Sequence, residues 1–239
     1  MLRRDVAKHS IEEELINVQK TVDNLKGILF DWDGTIVDSF QSMLISLRYA
    51  YRQHVGIFFP RDEEEYRRII PQRLTETSAR YAGEHAAAVT ESYIQYYRDE
   101  GYKHGRVFDG MHATLQELRK RGYALGVVTN TTKPRMSADM THHELTGLVD
   151  IIVTSEDTAE RKPHPAPLLK GAERLGISAQ ELAYVGDYPG DVIAAKAAGM
   201  LAVGGLWGGI FPAQSVLAEQ PDYALKQPVE LLDLFKGRI

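Results

Sequence analysis

"GILFDWDGTIVDS", residues 27–39, decides how this chain is read. Residues 27–30 are apolar, and a short apolar run bounded by turn formers is the pattern of a strand buried on both faces, as in a parallel sheet. The run stops at Asp31, Trp32, Asp33, Gly34 and Thr35. A carboxylate taken out of water is costly unless something compensates its charge. Two acids at the end of a buried strand therefore ask for a cation.

The pattern recurs downstream. "YALGVVTN" at 123–130, "DIIVTSE" at 150–156, "LAYVGD" at 182–187 and "MLAVGGL" at 200–206 are short, rich in Val, Ile or Leu, and flanked by turn formers. Helix-like segments at 111–121, 133–147, 165–175 and 189–199 lie between them. Strands alternating with helices predict an α/β fold with a doubly wound parallel sheet. "DYALKQ" at 222–227 adds a candidate edge strand, and a terminal helix is expected over 228–236. The gap from about 38 to 108 is too long for one crossover. Its helix-like segments at 39–54, 62–70, 73–82 and 84–100 predict an inserted helical module. Near the N-terminus, Ser10 and Glu13 fit a capping box, and Ile11, Leu15, Val18, Val22 and Leu25 form one helical face. The expected division is a helical extension at 1–25, a core at 26–38 and 105–239, and a helical cap at 39–104.

Composition narrows the chemistry. Of 239 residues, 44% are hydrophobic and 26% charged, with a formal net charge of -5. Such a chain has no general attraction for nucleic acid or an anionic membrane. An anionic substrate must be drawn by a local site. Cysteine is absent, which excludes disulfides, thiolate zinc sites and a cysteine nucleophile. No apolar run approaches the roughly 20 residues that span a bilayer. Arg3 and Arg4 are followed by no apolar segment, so a signal peptide is not indicated. A cytoplasmic monomer or homodimer is expected.

In an open parallel sheet, ligands bind beyond the carboxyl ends of the strands. The polar residues that follow the apolar runs are Asp31 and Asp33, Thr129 and Asn130, Ser155 to Asp157, and Asp187 with Asp191, while Lys162 follows the third run. Clustered carboxylates without histidine or cysteine suit a hard cation such as magnesium. A carboxylate nucleophile beside such an ion suits phosphoryl transfer.

"DWDGT" at 31–35, "VVTN" at 127–130, "RKPHP" at 161–165 and "GDYPGD" at 186–191 resemble, in order, the four motifs of the haloacid dehalogenase superfamily. "DGTIVDS" resembles its phosphoglycolate phosphatase-like branch. The resemblance implies a Rossmann-like core with a helical cap inserted after the first motif, and magnesium as cofactor. It implies Asp31 as nucleophile and metal ligand, and Asp33 as general acid and base whose backbone carbonyl also meets the metal. Thr129, with the amide of Asn130, would bind the phosphoryl group. Lys162 would balance charge and Asp187 would ligate the metal. Asp191 would support the metal or orient Lys162, and it also fits a helix N-cap.

The expected function is a magnesium-dependent phosphatase acting on a small phosphomonoester through an aspartyl phosphate, with phosphoglycolate the leading substrate and a sugar phosphate or pyrophosphate next. A sugar phosphomutase shares the core residues. A haloacid dehalogenase needs neither Asp33 nor the "GDYPGD" acids, and a scaffold on a dead core would not keep them. No lysine lies between 38 and 102, which argues against a cap Schiff base. The cap stretch "RRIIPQRLTE" at 67–76 supplies Arg67, Arg68 and Arg73 as candidates for a second substrate anion, with Arg73 first, against pairing with Glu63, Glu64, Glu65 and Glu76. "GGLWGG" at 204–209 lacks the lysine and spacing of a P-loop and reads as a flexible loop. His164 is expected in solvent, and Trp32 in packing.

Overall fold

The computed structural model describes residues 22–237. The predicted N-terminal capping box and most of its apolar stripe lie outside the described residues. Val22 and Leu25, the last members of the stripe, are buried in the core.

Strand β1 (Gly27–Phe30) leads through a sharp turn to β2 (Val37–Asp38). Four helices follow: α1 (Phe40–His54), α2 (Glu63–Ile69), α3 (Leu74–Ala82) and α4 (Ala86–Asp99). Strand β3 (Arg106–Val107) then returns to pair antiparallel with β2 in a separate two-stranded ribbon, so the two ends of the helical insert lie side by side. After it come α5 (Met111–Lys120), β4 (Ala124–Val128), α6 (Lys133–His142), β5 (Ile151–Val153), α7 (Ala166–Leu175), β6 (Leu182–Gly186), α8 (Pro189–Ala198), β7 (Leu201–Gly205), α9 (Ala213–Ala218), β8 (Tyr223–Leu225) and α10 (Leu231–Leu234).

The main sheet has the order β5-β4-β1-β6-β7-β8, and every pairing in it is parallel. β1 lies between β4 and β6, and the chain reverses direction across the sheet there. That is the switch point where such sheets open a crevice at their carboxyl edge. Side chains alternate in β1: Ile28 and Phe30 join one apolar layer with Met111, Leu115 and Leu118 of α5. Leu29 joins the other with Leu168 of α7 and Val192 of α8. Each such large apolar side chain contributes roughly 1.5–3 kcal/mol on burial. The insert has a core of its own, with Phe40, Leu47 and Tyr51 of α1 against Tyr66, Val89 and Tyr97.

Three elements differ from the sequence expectation. α6 stops at His142, five residues short of 147, where Glu144 and Gly147 take positive φ and turn the chain toward β5. The expected helix at 228–236 is a 3₁₀ turn at Pro228–Glu230 and a single turn at Leu231–Leu234. It ends where Phe235 leaves helical geometry to enter the core. The helix α9 carried no periodic apolar signal, being six residues long. "GGLWGG" contributes its first two glycines to β7, and the rest is fastened: Trp207 Nε1 donates to the Thr35 carbonyl at 2.9 Å.

Candidate active site

The carboxyl ends of β1, β4 and β6 and the turn before α7 bring Asp31, Asp33, Thr129, Asn130, Lys162, Asp187 and Asp191 to one edge. β1 carries Asp31 to this edge, and its amide donates to the Val185 carbonyl at 2.8 Å. Thr129 continues β4, bonding through its amide to the Val153 carbonyl at 3.0 Å. Asp187 follows β6. Asp191 lies in the first turn of α8, where its Oδ2 accepts from the Tyr188 amide at 3.1 Å.

Lys162 is the centre of the charge arrangement. Its Nζ lies 2.8 Å from Asp31 Oδ1 and 2.7 Å from Asp191 Oδ1, and donates to the Tyr184 hydroxyl at 2.6 Å. The ammonium thus sits between two carboxylates and one hydroxyl. Tyr184 passes its own proton to the Val128 carbonyl at 2.7 Å. The Lys162 backbone is clasped by Asn130, whose Nδ2 donates to the Lys162 carbonyl at 3.2 Å and whose Oδ1 accepts from the Lys162 amide at 3.1 Å. The Asn130 side chain therefore holds the lysine's backbone.

Asp31, Asp187 and Asp191 are all buried, with one lysine among them. Burial pushes the Asp31 carboxyl up to about 7; Lys162 opposes the rise, and Asp191 and Asp33 add to it. Burial and then the Asp31 and Asp191 charges push Asp187 well above the usual carboxylate range. For Lys162 burial opposes the charge, but Asp191 and Asp31 outweigh it and raise its pKa.

The donor set fits a divalent metal. Oxygens of Asp31, Asp187 and Asp191 lie within 4.8 Å of one another. Asp187 Oδ1 accepts from the Thr35 hydroxyl at 3.2 Å, while Oδ2 is buried with no hydrogen-bond partner among the described residues. Gly34 takes φ +78° beside it, and a Cβ there would fall 2.1 Å from that oxygen. A buried acceptor left unmatched among acids is what a hard cation would satisfy.

Asp33 faces a second group of donors. Its Oδ1 accepts from the Ser39 hydroxyl and from Arg135 Nη2, and its Oδ2 accepts from the Thr131 hydroxyl at 2.7 Å. Arg135, Tyr97, Asp139 and Thr131 were not singled out by sequence reasoning. The signal was there: Thr131, Arg135 and Asp139 recur at steps of four, one polar stripe along α6 and the residues before it.

Ser155 to Asp157 do not join the acids. Asp157 Oδ2 accepts from the Thr154 amide and hydroxyl at 2.7 and 2.9 Å, and Oδ1 from Arg174. Of the cap arginines, Arg68 pairs with Glu64 at the surface. Arg67 stacks on Phe40 and donates to the carbonyls of Gly209 and Ile210 at 2.7 and 2.9 Å, a strut from the helical insert to the loop after β7. Arg73 precedes α3, is about half-exposed and lies 3.8 Å from Glu76. Its charge reaches Arg161, the neighbour of Lys162, whose pKa falls through burial and then through Arg73. His164 is exposed and Trp32 fully buried. Among the described residues no helix is long and apolar enough to cross a membrane.

Acids, a lysine and a threonine at the switch point of an open parallel sheet suit phosphoryl transfer. The model of the haloacid dehalogenase-like hydrolases matches residues 28–204, and the chain belongs to that family. It is 32% identical over 213 residues to a phosphoglycolate phosphatase of Xanthomonas campestris pv. campestris, covering 86% of this chain and 94% of that one. It is 31% identical over 210 residues to pyrophosphatase PpaX of Bacillus velezensis, covering 87% and 94%. A haloacid dehalogenase-like family hydrolase from Streptococcus pneumoniae shares the fold, with a TM-score of 0.77 at 22% identity over 89% of this chain and 99% of that one.

Proposed function

We propose that the protein is a magnesium-dependent phosphatase acting on a small phosphomonoester of the phosphoglycolate kind through a phosphorylated Asp31. The observation that carries the reading is the Asp31–Lys162–Asp191 arrangement beside the unmatched oxygen of Asp187. Asp31 and Asp187, with the Asp33 carbonyl, would hold the magnesium ion, and Asp191 would steady Lys162. When bound, the ion supplies positive charge that lets an anionic carboxylate approach an anionic phosphoryl group. We read residues 39–104 as a cap and 26–38 with 105–239 as the core it covers.

In the first step an Asp31 oxygen forms a bond to phosphorus as the ester P–O bond breaks. The leaving alkoxide takes a proton from Asp33. In the second, water gives a proton back to Asp33 and attacks phosphorus, which releases phosphate and restores Asp31. Lys162 and the Thr129 hydroxyl bind the phosphoryl oxygens in both steps. Both Asp33 oxygens are held by hydrogen bonds, Oδ1 from Ser39 and Arg135 and Oδ2 from Thr131.

A pyrophosphatase is the second reading, favoured by the resemblance to PpaX. The test is turnover of a phosphate ester panel plus pyrophosphate, with magnesium and with chelator, on wild type and Asp31→Asn. Metal-independent turnover, or more than a tenth of wild-type turnover in the variant, overturns the reading. Arg73→Ala refines it: kcat/KM for a substrate with a second anion should fall about ten- to a hundredfold, the worth of one charge-assisted hydrogen bond, while an aryl phosphate changes little. A common fall of both substrates would reassign Arg73 to cap support.

A further inference from the structure

Asp33 is gripped by parts of the chain on both sides of the helical insert. Ser39, the residue before α1, donates to Oδ1. Arg135 donates to the same oxygen, and its Nη2 also donates to the Tyr97 hydroxyl at 3.0 Å. Tyr97 belongs to α4, the last long helix of the insert, and its ring centroid lies 4.0 Å from the guanidinium carbon. The Tyr97 hydroxyl in turn donates to Asp139 Oδ2 at 3.2 Å, which also accepts from Trp32 Nε1 at 3.0 Å. Tyr97 is 2% exposed, Asp139 and Trp32 are 0%, and the Arg135 side chain is 13% exposed.

This wiring costs the chain something. A buried arginine and a buried aspartate are each penalised by desolvation, and ionic groups are kept inside only where partners hold them. A scaffold alone could have used apolar side chains here. Instead the guanidinium joins one oxygen of Asp33 to a hydroxyl carried by α4. If α4 shifts, Tyr97 shifts, and the direction in which Asp33 presents its other oxygen shifts with it.

We propose that Tyr97 and Arg135 are positioning residues for Asp33, so that protonation of the leaving group depends on a contact made by the cap. This rests on the reading of Asp33 as the leaving-group acid. The two residues do not touch the phosphoryl site in this account; they aim the carboxyl that does.

The leaving group provides the readout. An alkyl alkoxide needs a proton as it departs, whereas p-nitrophenolate departs without one. Because kcat/KM reports only steps up to the release of the first product, the later hydrolysis of the phosphorylated Asp31 does not enter. We compare kcat/KM for an alkyl phosphate (2-phosphoglycolate, or the best alkyl ester of the panel) with that for p-nitrophenyl phosphate, in magnesium. The proteins are wild type, Asp33→Asn, Tyr97→Phe, Arg135→Gln and Arg135→Lys, and thermal melts confirm that each is folded. General acids contribute typically a hundred- to ten-thousandfold, so the alkyl-to-aryl ratio should drop on that order in Asp33→Asn. It should drop about tenfold in Tyr97→Phe and more in Arg135→Gln, with partial rescue in Arg135→Lys. Tyr97→Phe keeps the ring and removes only the hydroxyl, so it stands if Arg135→Gln fails to fold. An unchanged ratio in Tyr97→Phe, with a lowered ratio in Asp33→Asn, makes the network structural and overturns the proposal. An unchanged ratio in Asp33→Asn removes Asp33 as the acid, and the proposal falls with it.

Discussion

The cluster around Asp31, Asp187 and Asp191 and the cluster around Asp139 are both buried, yet they are neutralised differently. In the first, three acids share one lysine, the neutral donors to them include the Thr35 hydroxyl and the Tyr188 amide, and Asp187 Oδ2 has no hydrogen-bond partner among the described residues. In the second, an indole, two threonine or serine hydroxyls and a tyrosine surround Arg135, Asp33 and Asp139. The first is left short of positive charge. Such a site is destabilising by itself and is relieved by whatever cation or substrate chemistry it serves. The second sets two acids against one arginine and has more neutral donors around them, although Arg135 Nε and Asp139 Oδ1 are left without hydrogen-bond partners among the described residues. Burial of an acid thus carries different meanings a few residues apart.

That contrast can be broken at four points, taken from the largest effect downward. Asp31→Asn should cost at least about three orders of magnitude in turnover, some 4 kcal/mol of transition-state stabilisation, while leaving the metal-free protein as stable as wild type or more so. A chemical-denaturation midpoint below wild type would place Asp31 in the load-carrying group instead. Asp139→Ala should act the other way round. It leaves Trp32 Nε1 and the Tyr97 hydroxyl without their acceptor, at about 2–4 kcal/mol, or a Tm loss of roughly 5–15 °C. An unchanged Tm would show that the second cluster holds little. Asp187→Asn should abolish the gain in Tm that magnesium gives wild type; at a hundredfold excess over Kd that gain is worth about 2.7 kcal/mol. A wild-type-sized gain in the variant would exclude Asp187 from the metal site.

The last point is pH. Asp31 has a folded pKa of about 7 against an ordinary value of 3.8, so between those values the folded chain holds a proton that the unfolded chain has released. Stability of the metal-free protein should therefore fall as pH rises from about 4 to about 7, by at most about 1.4 kcal/mol per pH unit for one proton, and Asp187, raised as well, acts in the same direction. Asp139, pushed to about 6 first by burial, adds to the slope in the same direction. Urea unfolding at several pH values checks this. Asp31→Asn should flatten the curve in part, and an unflattened curve would assign the whole slope elsewhere.

Much of this was legible in the chain because the core obeys short-range rules. Apolar runs of four or five residues with acids at their ends can hardly be anything but buried parallel strands, and the strand ends place Asp31, Thr129 and Asp187 together once the order of the sheet is fixed. The second cluster was not legible. Its members are spread from Trp32 to Asp139, and tyrosines and arginines on a helical insert are ordinary surface residues until tertiary packing brings Tyr97 under Arg135. The shortened α6 was hidden for a related reason: its apolar periodicity runs on through Leu145 and Leu148, which are drawn in by the turn at Glu144 and Gly147.

The loop after β7, where the sequence predicts a flexible segment, is wedged against the turn that follows β1. A Cβ at Gly208 would lie 2.0 Å from the Gly34 carbonyl oxygen, and flanking bonds tie Trp207 to Thr35 and Arg67 to Gly209. Any residue larger than glycine at 208 must push Gly34, and Gly34 itself has no room for a Cβ beside Asp187. In a saturation mutagenesis screen for activity, position 208 should tolerate as little as the acids themselves. A reader of variant tables would then mark as catalytic a residue that has no side chain and meets no substrate.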